Sequence, residues 1–191
     1  MIPWPWPAPA DDGAAAHLEP GMPMPDIALA TTAGRSLSLA RVSGRAIVFI
    51  YPWTGRPGVA DPPGWDDIAG AHGSTAEAQG FRNLHSSFAS LDTAVLGLSS
   101  QDSAWQGELA RRLALPFEIL SDQDFRIAEA LHLPTFSAGG QRFYKRISLL
   151  VRDGRIEVPF YPVHPPDAHA RDVLACLTDL VGYELESRIN S

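Results

Sequence analysis

Cysteine is nearly missing from this chain: Cys176 is the single one in 191 residues. No disulfide can form within the chain, which fits a reducing compartment, and no mechanism that needs two thiols of one chain is open to it. Lysine is equally scarce, Lys145 standing alone among arginines, a pattern of coding bias rather than of mechanism. No cluster of basic residues exists, and with a formal charge of −7 this argues against a nucleic-acid surface. No apolar run approaches the roughly 20 residues that span a bilayer. The stretch Met1-Ile2-Pro3-Trp4-Pro5-Trp6-Pro7 lacks the basic region and continuous apolar core of a secretory signal. The expectation is a cytoplasmic protein with neither membrane nor nucleic acid as a partner.

The 45% hydrophobic content suits one compact α/β domain. Residues 1–20 are rich in Pro and Ala and show no period, so they are expected to form an extended or mobile N-terminal arm. Trp4 and Trp6 are then available to dock on a surface or a second subunit. Residues 21–191 read as a single domain. Short strands are expected at 26–30 and 36–39, and a continuous apolar run at 45–51 has the character of a central strand covered on both faces. Pro52 ends it. A Pro- and Gly-dense loop follows to Gly73, with Trp53 and Trp65 in it; a loop this long is often functional. Phe81, Leu84, Phe88 and Leu91 mark the buried face of one helix over 75–91. A second central strand covers 93–99, and a helix follows with Trp105, Leu109 and Leu113. Residues 118–122 lead into a short helix containing Phe125, Ala128 and Leu131. A Gly-containing loop is expected at 134–142, a hairpin at 145–151 and 155–160 around Asp153-Gly154, and a closing helix after Pro165-Pro166, with Asp167 placed to cap it. Parallel crossovers followed by an antiparallel pair imply a mixed central sheet with helices on both faces.

Ser74, at the loop-to-helix junction, is the position to question. Ser74-Thr75-Ala76-Glu77 fits the S-x-x-E capping box, in which serine and glutamate cap the backbone reciprocally for about 1 kcal/mol. His72 lies two residues earlier, but the spacing is not that of a nucleophile elbow and no acidic orienter is evident. Arg146 falls in an otherwise apolar strand and must find a partner there. Arg82 reads as a helix-surface or ion-pair residue. Cys176 lies beside the apolar stripe of the last helix and reads as a buried, inert thiol. His164 and His169 flank Pro165-Pro166-Asp167, where a loop and a helix cap account for them; no metal and no cofactor is expected.

Several strings, in order, resemble the peroxiredoxins, and among them the Q-type, bacterioferritin-comigratory branch. They are Gly21-Met22-Pro23-Met24-Pro25-Asp26, Ile50-Tyr51-Pro52, Gly73-Ser74-Thr75 with Phe81-Arg82, Val95-Leu96-Gly97-Leu98-Ser99, 115–122, and Lys145-Arg146-Ile147-Ser148-Leu149. The resemblance spans roughly residues 21–180. It implies a thioredoxin-like fold and thiol-dependent reduction of hydrogen peroxide or organic hydroperoxides. It also implies thioredoxin or a low-molecular-weight thiol as reductant, no cofactor, and a homodimer as an option. In the family a cysteine on the first turn of the helix attacks the peroxide. Carried over to this chain, Ser74 occupies that position, Arg146 would stabilise the thiolate and orient the peroxide, and Pro52 would shield the pocket. Gly73, Thr75, Thr54 and Trp53 are the candidate substrate-binding residues.

This sequence departs from the family pattern in three ways. Serine replaces the cysteine, so the chain is expected to be inactive by the family route, since a hydroxyl lacks the sulfur-to-oxygen redox step. Gln79 occupies the place of a resolving cysteine, leaving a one-cysteine scheme, Cys176 or an external thiol. Pro52 lies 22 residues before Ser74 (74 − 52), where the family has seven, an insertion of 15; Ala71 replaces the motif threonine, and Thr54 could substitute if the loop folds back. Ser74 is either a Cys-to-Ser variant that preserves shape or the mark of a peroxiredoxin-like protein repurposed for binding or for a specialised pathway.

Overall fold

The computed structural model describes residues 4–189. Met1, Ile2 and Pro3, the start of the expected arm, lie outside the described residues, as do Asn190 and Ser191. The sheet is built around β3 (Arg45–Ile50), where Ala46 to Ile50 are all buried. A strand apolar on both faces is stable only when both are covered. It pairs in parallel with β4 (Thr93–Ser99) and antiparallel with β8 (Ile147–Arg152), so that Val48 lies opposite Leu96 and Leu149. With β1 (Ala28–Thr31), β2 (Ser36–Ser38), β5 (Ile119–Ser121) and β9 (Arg155–Phe160), the sheet among the described residues has seven strands in the order β2-β1-β5-β4-β3-β8-β9.

Side chains alternate across β3, as strand geometry requires. Val48 and Ile50 enter one apolar cluster with Leu98, Leu120, Leu149 and Ile127 and Leu131 of α4 (Arg126–Leu131). Ile47 and Phe49 enter the other, beneath Phe81 of α1 (Ser74–Asn83), Phe88 of α2 (His85–Ser90), Leu109 of α3 (Ser103–Arg112), and Val173 and Leu177 of α5 (His169–Ile189). Helices therefore cover both faces of a mixed sheet, the thioredoxin-like arrangement expected from the sequence. No helix among the described residues is long and apolar enough to cross a membrane.

Two local expectations need correction. The single helix over 75–91 is two, interrupted at Leu84, whose φ of −103° and ψ of 7° leave the helical region. The apolar stripe of Phe81 and Phe88 runs straight through the break, which is why periodicity alone did not reveal it. The expected loop at 134–142 is a hairpin of β6 (Thr135–Ala138) and β7 (Gln141–Tyr144). Its turn is Gly139-Gly140, with φ of 54° and 76°, and glycine reaches positive φ at both turn positions without steric cost.

That hairpin has a partner. Phe143 and Ala138 form a third apolar cluster with Trp65 and Ala71 of the long loop, and Trp53, Ile68 and Phe136 pack against it. The inserted segment is thus folded onto the hairpin, with one 3-10 turn at Trp65–Asp67. Residues 4–20 contain neither helix nor strand and run along the body. Ala15 and Leu18 are buried in the first cluster, and His17 Nε2 lies 2.8 Å from the Leu131 carbonyl.

Candidate active site

Ser74 is the first residue of α1, and Gly73 is its N-cap, with φ of 107°. A Cβ at Gly73 would stand 2.3 Å from Pro166 Cγ and 2.6 Å from Trp4 Cζ2, so both conformation and space demand glycine there. The capping box does not form. Gly73 makes no side-chain cap bond, Ser74 lies one position too late in the helix, and the Glu77 carboxylate points elsewhere. Both side chains of that motif meet Arg146 instead.

Arg146 immediately precedes β8 and places its guanidinium beneath the helix end. Nη1 donates to Glu77 Oε2, and Nη2 lies 3.1 Å from both Ser74 Oγ and the His72 carbonyl. The two charged side chains are 2% and 0% exposed. The partner that a strand arginine requires is therefore Glu77, a residue whose sequence context advertised capping rather than pairing. Arg146 Nε and Glu77 Oε1 have no hydrogen-bond partner among the described residues. Burial pushes the Glu77 carboxyl up to about 7, with attraction to Arg146 pulling the other way. Ionising a carboxylate out of water is costly unless a cation is held against it.

Behind this pair His169 is buried with Nε2 2.8 Å from Ser148 Oγ. Burial, and then the charge of Arg146, push its imidazole down to about 3. The folded protein therefore takes up a proton here less readily than the unfolded chain. Stability should fall as pH drops from about 6.5 toward 3, and His169→Gln should make that decline shallower in urea unfolding between pH 6.5 and 4. A slope unchanged by the substitution would contradict the assignment.

Ser74 borders a pocket of about 180 Å³ walled by Trp53, Trp65, Asp61, His72, Gly73 and Thr75. Of the residues expected at the site, Ser74, Gly73, Thr75 and Trp53 meet there, and Arg146 reaches Ser74 from behind. Pro52 is buried at the end of β3 and is not among the residues lining the pocket. Thr54 does not take the place of the missing threonine. Its N–H and hydroxyl both donate to Gln101 Oε1 at 3.0 Å, and its carbonyl accepts from Trp105 Nε1 at 2.7 Å. A buried hydroxyl so engaged is not free for a substrate. Gln101 and Trp105 anchor the start of the insertion, a role with no visible sequence signal.

Asp66 supplies the acidic neighbour of His72 that sequence reading did not find, at 2.8 Å from Nε2. The imidazole turns that nitrogen to Asp66, however, while the hydrogen-bond partner of Ser74 Oγ is Arg146. Asp61 accepts from Trp53 Nε1 at 3.2 Å, which fixes one aromatic wall. Arg82 bonds Asn83 and the Leu113 carbonyl, as a helix-surface residue would. Cys176 is partly rather than fully buried on α5, and burial pushes its thiol up.

A helix that follows the central strand, starting over a buried arginine, completes a thioredoxin-like fold. Residues 69–157, which include Ser74, Glu77 and Arg146, match the AhpC/TSA family. The chain is 28% identical over 168 residues to peroxiredoxin Bcp of Bacillus subtilis (strain 168), covering 85% of this chain and 97% of that protein. It is 26% identical to the chloroplastic peroxiredoxin Q of Oryza sativa subsp. japonica, covering 84% and 67%. Among solved structures, peroxidoxin BcpB from Mycobacterium tuberculosis superposes with a TM-score of 0.66 at 24% identity, over 85% of this chain and 98% of that one. Over these spans the chain is similar to peroxiredoxins of the Q type.

Proposed function

We propose that this protein has the scaffold of a thiol-dependent peroxide reductase with a hydroxyl at the nucleophile position, and that as it stands it does not reduce peroxides. The observation that carries this reading is the 3.1 Å contact between Arg146 Nη2 and Ser74 Oγ on the first turn of α1. A sulfur at that point would have a guanidinium and a helix N-terminus beside it, both of which favour thiolate. The thiolate would attack one oxygen of hydrogen peroxide or an organic hydroperoxide. An S–O bond forms, the O–O bond breaks, and the departing oxygen takes a proton as water or alcohol. The resulting sulfenic acid is returned to thiol by thioredoxin or a low-molecular-weight thiol. Serine offers neither the thiolate nor the redox step. A cytoplasmic location and a homodimeric state belong to the same reading.

The test is peroxide consumption with thioredoxin for this chain and for Ser74→Cys. A folded but inert cysteine form would sink the reading. Weight would then pass to the second one, a peroxiredoxin-like protein repurposed for binding or for a specialised pathway. What favours that alternative is the inserted wall of Trp53, Asp61 and Trp65. The pocket's 180 Å³ is smaller than the roughly 300–1,000 Å³ of drug-sized sites, so its ligand would be small.

A further inference from the structure

A second cavity, of about 260 Å³, shares none of its lining with the pocket at Ser74. Its apolar walls are Pro9 of the N-terminal arm, Ile68 of the insertion, Phe136 of β6 and Pro162. Its polar end is different in kind. Lys145, the one lysine of the chain, puts Nζ 2.5 Å from Asp12 Oδ2, and the Tyr161 hydroxyl lies 2.7 Å from Asp12 Oδ1. Two donors from separate parts of the fold thus meet the two oxygens of one carboxylate, and that carboxylate belongs to a segment without regular structure.

We propose that this cavity is a binding site for a small monocarboxylic acid with an apolar body, whose carboxylate exchanges with that of Asp12 between Lys145 and Tyr161. The clamp is already shaped for a carboxylate, as Asp12 demonstrates. The Lys145 and Asp12 side chains are 35% and 40% exposed, and an ion pair so open to water is weak, so the Asp12 carboxylate is a displaceable competitor. Lysine has three donors, which lets both carboxylates share it during exchange. The apolar body of the ligand gains contact with Ile68, Phe136 and Pro162, an advantage Asp12 lacks. Arg146 also lines the cavity, joining this site to Ser74 through one side chain.

Occupancy has a structural consequence. The arm that carries Asp12 also stacks Trp6 on His72, with ring centroids 3.8 Å apart and planes at 11°, and sets Pro9 against Gly70. An acid that takes the place of Asp12 loosens the arm over residues 70–73, the approach to the first turn of α1. The proposal does not rest on the peroxidase reading, because it concerns binding by the chain as it stands.

Isothermal titration calorimetry of the full chain with hexanoate and benzoate, and with their methyl esters, tests it. Asp12→Ala and Asp12→Asn should bind the acids about tenfold more tightly than the parent, the scale of one charge-assisted contact. Lys145→Met should lose at least about tenfold on the same grounds, and the esters should not bind any of the forms. Circular dichroism establishes that each variant is folded, and the two Asp12 variants guard against one of them failing. Acids that bind neither Asp12 variant, esters that bind as well as acids, or an unaffected Lys145→Met would overturn the proposal.

Discussion

With cysteine at position 74, the protein should consume hydrogen peroxide several orders of magnitude faster than with serine. Removing the nucleophile from an enzyme built around one costs on the order of 10⁶ in kcat, and here a guanidinium and a helix end already flank the position. Ser74→Cys is nearly isosteric, so Sγ inherits the Arg146 Nη2 contact now made by Oγ. The thiol should titrate below its ordinary range, because the guanidinium and the helix end both stabilise the anion. Alkylation by iodoacetamide followed against pH reads this directly, and adding Cys176→Ser removes the other thiol from the measurement. The same double variant decides whether Cys176 takes part in turnover: unchanged peroxide consumption means that reduction comes from an external thiol.

Arg146→Ala should cost about 3–5 kcal/mol of folding stability, the range for breaking a buried ion pair from one side. The reason is Glu77, which would stay fully buried with no cation against it. Its carboxyl is already raised to about 7 in the intact protein, by burial against the pull of Arg146. A carboxyl raised in the folded state holds its proton more readily there than in the unfolded chain. The stability it contributes is therefore present at low pH and lost as pH rises through the folded value. Without Arg146 nothing opposes burial, so the deficit of Arg146→Ala should be larger at pH 8 than at pH 5, and adding Glu77→Gln should recover part of it at pH 8. Urea unfolding at the two pH values measures both effects. An equal loss at both would mean that the charge on Glu77 is not what Arg146 balances.

Much of this architecture could be read from residues alone, and what could not has physical causes. The run 45–51 and the strand 93–99 are apolar on both faces, and only a covered central strand tolerates that. Asp153-Gly154 announced its hairpin. The hairpin at 135–144 was hidden because its residues mix polar and aromatic types: Phe136 and Phe143 are paid for by the distant Trp65, not by the main sheet. Arg146 was legible as a residue in need of a partner. Glu77 was not, since S-x-x-E has a complete local explanation in capping, and nothing in the string says that a strand 69 residues further on will claim the carboxylate. The bond of the Thr54 hydroxyl to Gln101 was hidden for a similar reason. Gln101 lies beyond the following helices and strand, and sequence proximity to the pocket carries no information about where a hydroxyl finds its bond.

The five tryptophans of the chain sit at one end of the molecule. Trp4 lies on Gly73, Trp6 on His72, Trp53 and Trp65 in the pocket wall, and Trp105 against Trp53. The two large apolar clusters that flank the sheet contain none. Intrinsic fluorescence in this protein is consequently a regional signal, blind to the β3 core and tuned to the arm, the insertion and the first turn of α1. Far-ultraviolet dichroism samples the sheet and helices instead. The two spectroscopies divide the molecule between them, and local opening of the site end registers in the first without the second.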